Sequence, residues 1–262
     1  MSRIRLAIHG ASGRMGLRLI ELIAEDPALE LGAAIERPGH PLLGEKIAGV
    51  TLVDRLESRV DVALDFSMPS ATLHLADSCA RFGTAMVVGT TGFEPELKRV
   101  LEKHADRLAL LVAPNMSRAV NLLMRLVGEA ARALGREADI EIVERHHHFK
   151  QDAPSGTALR LAEIAAEAIG SKQFVHGRHG IVGERPRGEI GLHALRAGDS
   201  AGEHTVVYGL LGECLELTHR AANRDGFARG ALDAAKFLAG KPPGIYTVDD
   251  WLNAPRTALH IS

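Results

Sequence analysis

Only two of the 262 residues are cysteine, and Cys79 and Cys214 share no short spacing. A disulfide framework and a cysteine-based zinc site are both unexpected on that count. No lysine- or arginine-rich run occurs, and the formal net charge is -2. Nucleic acid requires a concentrated basic patch, so it is not an expected partner. Long apolar stretches are missing too: MSRIRLAIHGASG starts basic and never becomes one. The expectation is therefore no signal peptide, no membrane span and a cytoplasmic location. Internal repeats and low-complexity segments are also absent. What remains is a balanced chain, 46% hydrophobic and 24% charged, with a sizeable core and the length of one large domain or two modest ones.

The stretch IRLAIHGASGRMGLRLIELIAE carries the first positive signal. Ile4 to Ile8 is a short apolar run with β-branched residues, which predicts a buried strand. Gly10, Gly13 and Gly16 follow, and Met15, Leu19, Leu22 and Ile23 then recur on one helical face. Strand, glycine turn and helix in that order favour an anion at the helix N-terminus, as a dinucleotide pyrophosphate requires. A second run, LELGAAIE, ends in Glu36, where an acid accepts hydrogen bonds from ribose hydroxyls. Arg37 comes next, and an arginine there pairs with a 2′-phosphate instead. The two residues favour different dinucleotides, so NADH and NADPH both stand as the cofactor.

Apolar runs at 60–66, 84–88 and 108–112 alternate with helical segments at about 69–82 and 95–104. That alternation predicts an α/β, Rossmann-like parallel sheet with helices on both faces. Ligands of such sheets lie beyond the carboxyl ends of the strands. Gly10, Glu36, Ser67, Gly89, Thr90, Thr91, Ala113, Pro114 and Asn115 all fall at predicted ends. After Asn115 the pattern changes. A long helix, about 117–133, precedes an alternating strand through Ile140 and Ile142. Three further β-like runs at 190–196, 204–211 and 214–219 are joined by short segments holding Gly198, Gly202 and Gly212. Successive strands on short turns predict antiparallel neighbours. The expectation is a second α+β domain with a mixed sheet over 117–224. The dinucleotide-binding domain would then span 1–116 and be completed by 225–262, a chain that crosses a hinge twice.

ERHHHFKQDAPSGTALRLAE, starting at Glu144, admits a metal site, an acid–base site or a solvated turn. In a strand His146 and His148 share a face and His147 points away. A catalytic zinc would need a third protein ligand. Only distant histidines (176, 179, 193, 204, 219) offer one, and Lys150 adds an unfavourable cation, so no metal is expected. Pro154 suits a helix start. Ser155, Gly156 and Thr157 then lie at the N-terminus, with Leu161, Ile164, Ala165 and Ala168 as the buried stripe. Unpaired amides and hydroxyls there make a receptor for a carboxylate, and Lys150 and the imidazoles lie just before it.

ERHHHFKQDAPSGTA closely resembles the signature of 4-hydroxy-tetrahydrodipicolinate reductase, also called dihydrodipicolinate reductase, of bacterial and plant lysine biosynthesis. GASGRMG, Glu36-Arg37, Asp65-Phe66-Ser67, GTTGF, Ala113-Pro114-Asn115, AGEHTV and LELTHRA extend the resemblance, in the family's order, over nearly the whole chain. The resemblance implies NAD(P)H-dependent reduction of a cyclic imine dicarboxylate with loss of water. It places the cofactor on Gly10, Ala11, Ser12, Gly13, Arg14, Met15, Glu36, Arg37, Gly89, Thr90, Thr91, Ala113, Pro114, Asn115 and Met116. It makes His146 the proton donor and Lys150 its cationic partner. His147, Lys150, Ser155, Gly156 and Thr157 would bind the substrate's carboxylates. It further implies a homotetramer with the second-domain sheets at the interface. Met116 stands where phenylalanine is common, and Met68 where some members carry arginine. Arg224 matches a position near the substrate, although a surface or hinge arginine fits as well. Another two-domain nicotinamide oxidoreductase would share the first domain but leave HHHFKQDAPSGT unexplained. A dinucleotide-sensing module without catalysis would need no acid–base pair.

Overall fold

The computed structural model describes residues 2–223 and 225–255, so Arg224 lies outside the described residues. These fall into two compact units, one formed by the described residues of Met1–Ser117 and Asp225–Ser262, the other by Arg118–Arg224.

The first unit opens with β1 (Ile4–His9), α1 (Arg14–Glu25), β2 (Leu29–Ile35), β3 (Lys46–Ile47), β4 (Val50–Val53) and β5 (Val62–Asp65). It continues through α2 (Pro69–Phe82), β6 (Ala85–Val88), α3 (Pro95–Lys103) and β7 (Ala109–Val112). The second unit comprises α4 (Arg118–Leu134), β8 (Asp139–His146), α5 (Gly156–Ile169), β9 (Phe174–His176), β10 (Ile190–Arg196), β11 (Glu203–Leu210) and β12 (Glu213–Arg220). The chain then returns to the first unit with α6 (Asp225–Leu238), β13 (Gly244–Tyr246) and α7 (Val248–Asn253).

The first sheet has eight strands in the order β13-β7-β6-β5-β1-β2-β4-β3. Only the β3–β4 pairing is antiparallel. Its central strands are buried on both faces, which is why they read as unbroken apolar runs. Leu6 and Ile8 face the core that contains α1 and α6, while Ala7 faces the opposite core with Leu75 and Leu101. Met15, Leu19, Leu22 and Ile23 form the inner stripe of α1 as their spacing predicts. The C-terminal segment adds β13 beside β7, and Trp251 is fully buried. The short β3–β4 hairpin was not foreseen from the sequence.

The second sheet is mixed, in the order β12-β11-β8-β10-β9. Helices α4 and α5 pack together, α5 lies over β8, β10 and β11, and α4 reaches β12. One face is therefore covered. Ile140, Ile142, Leu192, Val206 and Tyr208 are buried there, and the Tyr208 hydroxyl donates to the Val127 carbonyl at 2.7 Å. The expected run of antiparallel neighbours holds only for β11 and β12. β10 pairs with β8 in parallel, and β8 separates it from β11. The segment 197–202 is thus a crossover, not a hairpin turn. It passes the end of β8, where Ala197 N–H donates to His146 O and Gly198 O accepts from His148 N–H. No helix among the described residues is long and apolar enough to cross a membrane.

At the first βα turn, α1 approaches the backbone so closely that a Cβ on Gly16 would stand 2.1 Å from Gly10 O and 2.7 Å from Ala11 Cα. Backbone cannot swing aside as a side chain can. Gly16→Ala is therefore expected to destabilise the protein by about 1–3 kcal/mol, read as a lower urea midpoint; an unchanged midpoint would contradict this packing.

Candidate active site

The carboxyl ends of the first sheet's strands converge on the Gly10–Met15 turn. Gly10 has φ +78°, and a Cβ there would lie 2.5 Å from Phe66 O. The Gly10 and Ala11 amides bond to Ile35 O, which holds the turn against the end of β2. Gly13 caps α1 and is exposed, as is Arg14, so the helix N-terminus faces outward. Glu36 reaches over this turn. Its Oε1 accepts from Ser12 N–H at 3.0 Å and from Ser12 Oγ at 2.7 Å. Partial burial works to raise the Glu36 carboxyl, but the Ser12 bonds outweigh it and hold the group below the usual carboxylate range. Arg37 beside it is exposed. An exposed helix N-terminus, a turn that tolerates no side chain at Gly10 or Gly16, and an ionised acid after β2 together fit a dinucleotide.

Beneath these loops lies a buried polar cluster. Asp65, at the end of β5, is fully buried. It accepts from His9 Nδ1 (2.7 Å), Ser67 Oγ (2.6 Å), Thr72 Oγ1 (2.6 Å) and Thr90 Oγ1 (2.7 Å). Four donors from four chain segments thus converge on one carboxylate. Burial pushes its pKa up, yet the bond and charge of His9 and the hydroxyl bonds bring it below the ordinary value. Thr90 is tied in further through Ser67 N–H, which donates to its Oγ1 at 2.9 Å. Gly89 is closed from the other side, since a Cβ there would sit 2.2 Å from the Phe66 ring.

In the second unit, β8 carries Ile140, Ile142, Glu144 and His146 on its covered face, at a period of two. The first two fill the core. Of the last two, Glu144 reaches the start of α5, and His146 bonds to Glu144. Glu144 is 1% exposed. Its Oε2 accepts from His146 Nδ1 at 2.5 Å, and its Oε1 from Ser155 N–H at 3.1 Å. Arg196, from the end of β10, donates to both oxygens at 2.9 Å. Burial works to raise the Glu144 carboxyl, and the Arg196, His146 and Ser155 bonds overcome it, so the acid is held low. Ser155 is the N-cap of α5, and its hydroxyl accepts from Ala158 N–H. Across from it, burial and then the neighbouring His146 push His204 down to about 4. His204 is therefore neutral at physiological pH, and its Nε2 shares a hydrogen bond of 3.1 Å with the Ser155 hydroxyl.

The predicted residues are placed unevenly. His146, Lys150, Ser155, Gly156 and Thr157 belong to one stretch that runs from the end of β8 into α5. Lys150 Nζ pairs with Asp152 at 2.7 Å. Ser155 turns its amide to Glu144 and uses its hydroxyl as the helix cap, so the outward start of α5 is Gly156, where a Cβ would meet nothing within 4 Å. The facial alternation expected for the histidines stops at His146. His147 and His148 lie in a turn, because their amides bond to Ser200 O and Gly198 O of the crossover rather than extending the strand. His148 Nδ1 also bonds to Gly198 O, so it does not share His146's environment. Met116 is 2% exposed and belongs to the core with Ala113, Ala228 and Ala231, and Gly230 of α6 lies close against its carbonyl. Pro114 and Thr91 are exposed, Asn115 is half-buried, and Thr90 and Ala113 are buried.

Sequence reasoning gave no role to Glu144, Arg196, Asp65 or His9, and weighed His204 only as a distant metal ligand. A signal existed for Glu144, an acid two residues before His146 on the same strand face. For Arg196, 52 residues away, no local pattern points to the pairing.

A dinucleotide turn on one sheet and an acid-held histidine on another define a class, the nicotinamide-dependent oxidoreductases. Comparison with known proteins narrows it. Residues 4–116 match the family described as dihydrodipicolinate reductase, N-terminus, and residues 119–252 the one described as dihydrodipicolinate reductase, C-terminus. The 4-hydroxy-tetrahydrodipicolinate reductase of Anaeromyxobacter dehalogenans is 45% identical, with 95% of this chain and 97% of the relative covered. That of Hahella chejuensis is 46% identical, with 95% and 98% covered. This chain belongs to the dihydrodipicolinate reductase family. Among solved structures, a dipicolinate-bound dihydrodipicolinate reductase from Paenisporosarcina sp. TG-14 has a TM-score of 0.77 at 25% identity, over 94% of this chain and 97% of that one. An amine dehydrogenase from Mycobacterium smegmatis shares the fold, with a TM-score of 0.63 at 13% identity, over 98% of each chain.

The Asp65 cluster sets a pH dependence. A carboxyl held lower in the folded state contributes stability above its unfolded value, near 3.8, and loses it as pH falls through the folded value. Asp65→Asn should therefore destabilise the protein at pH 7 by roughly 1–3 kcal/mol and flatten the decline in stability on acidification. Urea titrations at neutral and acidic pH would show this; parallel losses in wild type and variant at both pH values would refute it.

Proposed function

We propose that His146 and Lys150 carry out in this chain the reaction of its family: NAD(P)H-dependent reduction of 4-hydroxy-tetrahydrodipicolinate to tetrahydrodipicolinate, with loss of water, in the diaminopimelate route to lysine. One observation carries the assignment. A single carboxylate, Glu144, binds both His146 and the first residue of the α5 start, so a proton donor and an anion-receptive helix N-terminus lie side by side. The α5 amides at Gly156 and Thr157 hold a ring carboxylate, favoured by the helix dipole. Lys150 holds the second carboxylate in place of the exposed Asp152, and His147 flanks it. As the ring is reduced, negative charge builds on its conjugated atoms, and His146 meets it with a proton while Lys150 stays cationic beside it.

Bound NADH or NADPH supplies the hydride. The backbone of Gly10, Ala11, Ser12, Gly13, Arg14 and Met15 receives its pyrophosphate. Glu36 takes the ribose hydroxyls, and Arg37, exposed next to it, receives a 2′-phosphate. Gly89, Thr90, Thr91, Ala113, Pro114 and Asn115 border the nicotinamide end, positioned from below by Asp65. A homotetramer is supported by the uncovered face of the second sheet, which carries Val143, Val207 and Leu195. It is also supported by β12, an edge strand exposed along most of its length beside the fully exposed Leu211. Unpaired edges of this kind seek a partner, and a native mass spectrum showing monomer alone would count against the assembly.

The test is one assay. The condensation product of pyruvate and aspartate semialdehyde is supplied, and NAD(P)H absorbance is followed. Both cofactors should serve, with a preference below about a hundredfold, ~2.7 kcal/mol. His146→Gln and Lys150→Ala should each lower kcat by about 10²–10⁴ and leave cofactor affinity nearly unchanged. An equal loss of cofactor binding, or full activity of His146→Gln, would overturn the assignment.

A further inference from the structure

We infer that Glu144 is the positioning residue that orients His146 for proton transfer, with Arg196 fixing the acid and Gly202 keeping the far side of the imidazole clear. The inference rests on the reading of His146 as the proton donor.

The geometry leaves Glu144 little freedom. Its two oxygens receive four donors: the His146 ring, the Ser155 amide and both terminal nitrogens of Arg196. A carboxylate has about four lone-pair sites, and here all are occupied. Arg196 is itself anchored, donating to Asp152 O and Leu195 O at 2.7 Å each. Its guanidinium neutralises a charge that burial would otherwise make very costly. An ionised, saturated carboxylate can only accept, so the proton shared with His146 sits on Nδ1. The catalytic proton is then left to Nε2.

Nε2 points to Gly202. A Cβ at that position would come within 2.9 Å of it, and Gly202 has φ +144°, a backbone state that side chains resist. The residue is thus small exactly where the working nitrogen needs space. The third side of the ring is closed by His204, whose ring stands edge-on at 5.2 Å and 75°. Acid and second imidazole thus set the orientation of His146, while the glycine leaves its Nε2 side open. A buried pair with a purely structural role would not need to place the histidine nitrogen remote from the acid against a glycine.

Glu144→Gln tests the idea, because the amide retains the shape but sets a donor against either Arg196 or His146. It should lower kcat by about a hundredfold with the KM for substrate and the affinity for cofactor nearly unchanged. It should also cause no further loss in the His146→Gln background, since an effect exerted through His146 vanishes without it. Nuclear magnetic resonance of ¹⁵N-histidine-labelled wild-type protein should show a strongly downfield imidazole N–H that is lost in both Glu144→Gln and His146→Gln. A wild-type kcat for Glu144→Gln, a rise in KM at constant kcat, or additive losses in the double variant would overturn the inference. Should Glu144→Gln fail to fold, Arg196→Lys replaces the two-pronged contact with a single one. A fall in kcat with a shifted downfield resonance then supports the inference, and unchanged values of both overturn it. A fully active His146→Gln would instead sink the proton-donor reading beneath it.

Discussion

A carboxylate withdrawn from water must collect donors or lose its charge, and both units of this protein are organised around that demand. Asp65 sits at the carboxyl end of β5 and Glu144 near the end of β8, each almost wholly buried. Each draws in four donors, some from neighbouring residues and some from distant segments of the chain. The first gathers His9, Ser67, Thr72 and Thr90, and so fixes the loops around the glycine turn. The second gathers His146, Ser155 and Arg196, and so fixes a histidine against a helix start. A neutral side chain could fill either space, but it would not specify where the surrounding donors point.

The change along β8 shows how core and chemistry share one strand. Ile140 and Ile142 face α4 and α5 and contribute burial, roughly 1.5–3 kcal/mol each. Two and four residues on, the same face bears Glu144 and His146. The helix above also changes character over that distance, from the apolar stripe of Leu161 and Ala165 to the capped N-terminus at Ser155. The apolar part of this strand face therefore ends where its buried, hydrogen-bonded part begins.

Much of the fold was legible because its signals are local. Ile4–Ile8, Val62–Asp65 and Leu108–Val112 are short apolar runs, and a parallel sheet with two covered faces produces such runs. Pro154-Ser155-Gly156 marked a helix start, and Ser155 is the cap. The errors came where the outcome depends on partners distant in sequence. Nothing between residues 190 and 211 reveals that β8 inserts between β10 and β11, since strand order is decided by the whole sheet. For the same reason His147 and His148 could not be taken out of the strand. Their amides leave it for carbonyls of a crossover about 50 residues later. The burial of Met116 likewise depends on α6, whose Gly230 lies against its carbonyl from far along the chain. Glycine spacing, caps and alternation are written locally, but salt-bridge partners such as Glu144 and Arg196 are not.

The first unit is discontinuous in the chain, and this orders events on the ribosome. Its core includes Ala228, Leu232 and Leu238 of α6 and Trp251 of α7, and its sheet is closed at one edge by β13. All of these are translated after the last strand of the second unit. Vectorial synthesis thus delivers the inserted unit with its elements complete while the unit that began first still lacks two helices, an edge strand and its sole tryptophan. Until that final stretch emerges, the apolar face of α1 and the open side of β7 lack the partners that cover them in the finished fold.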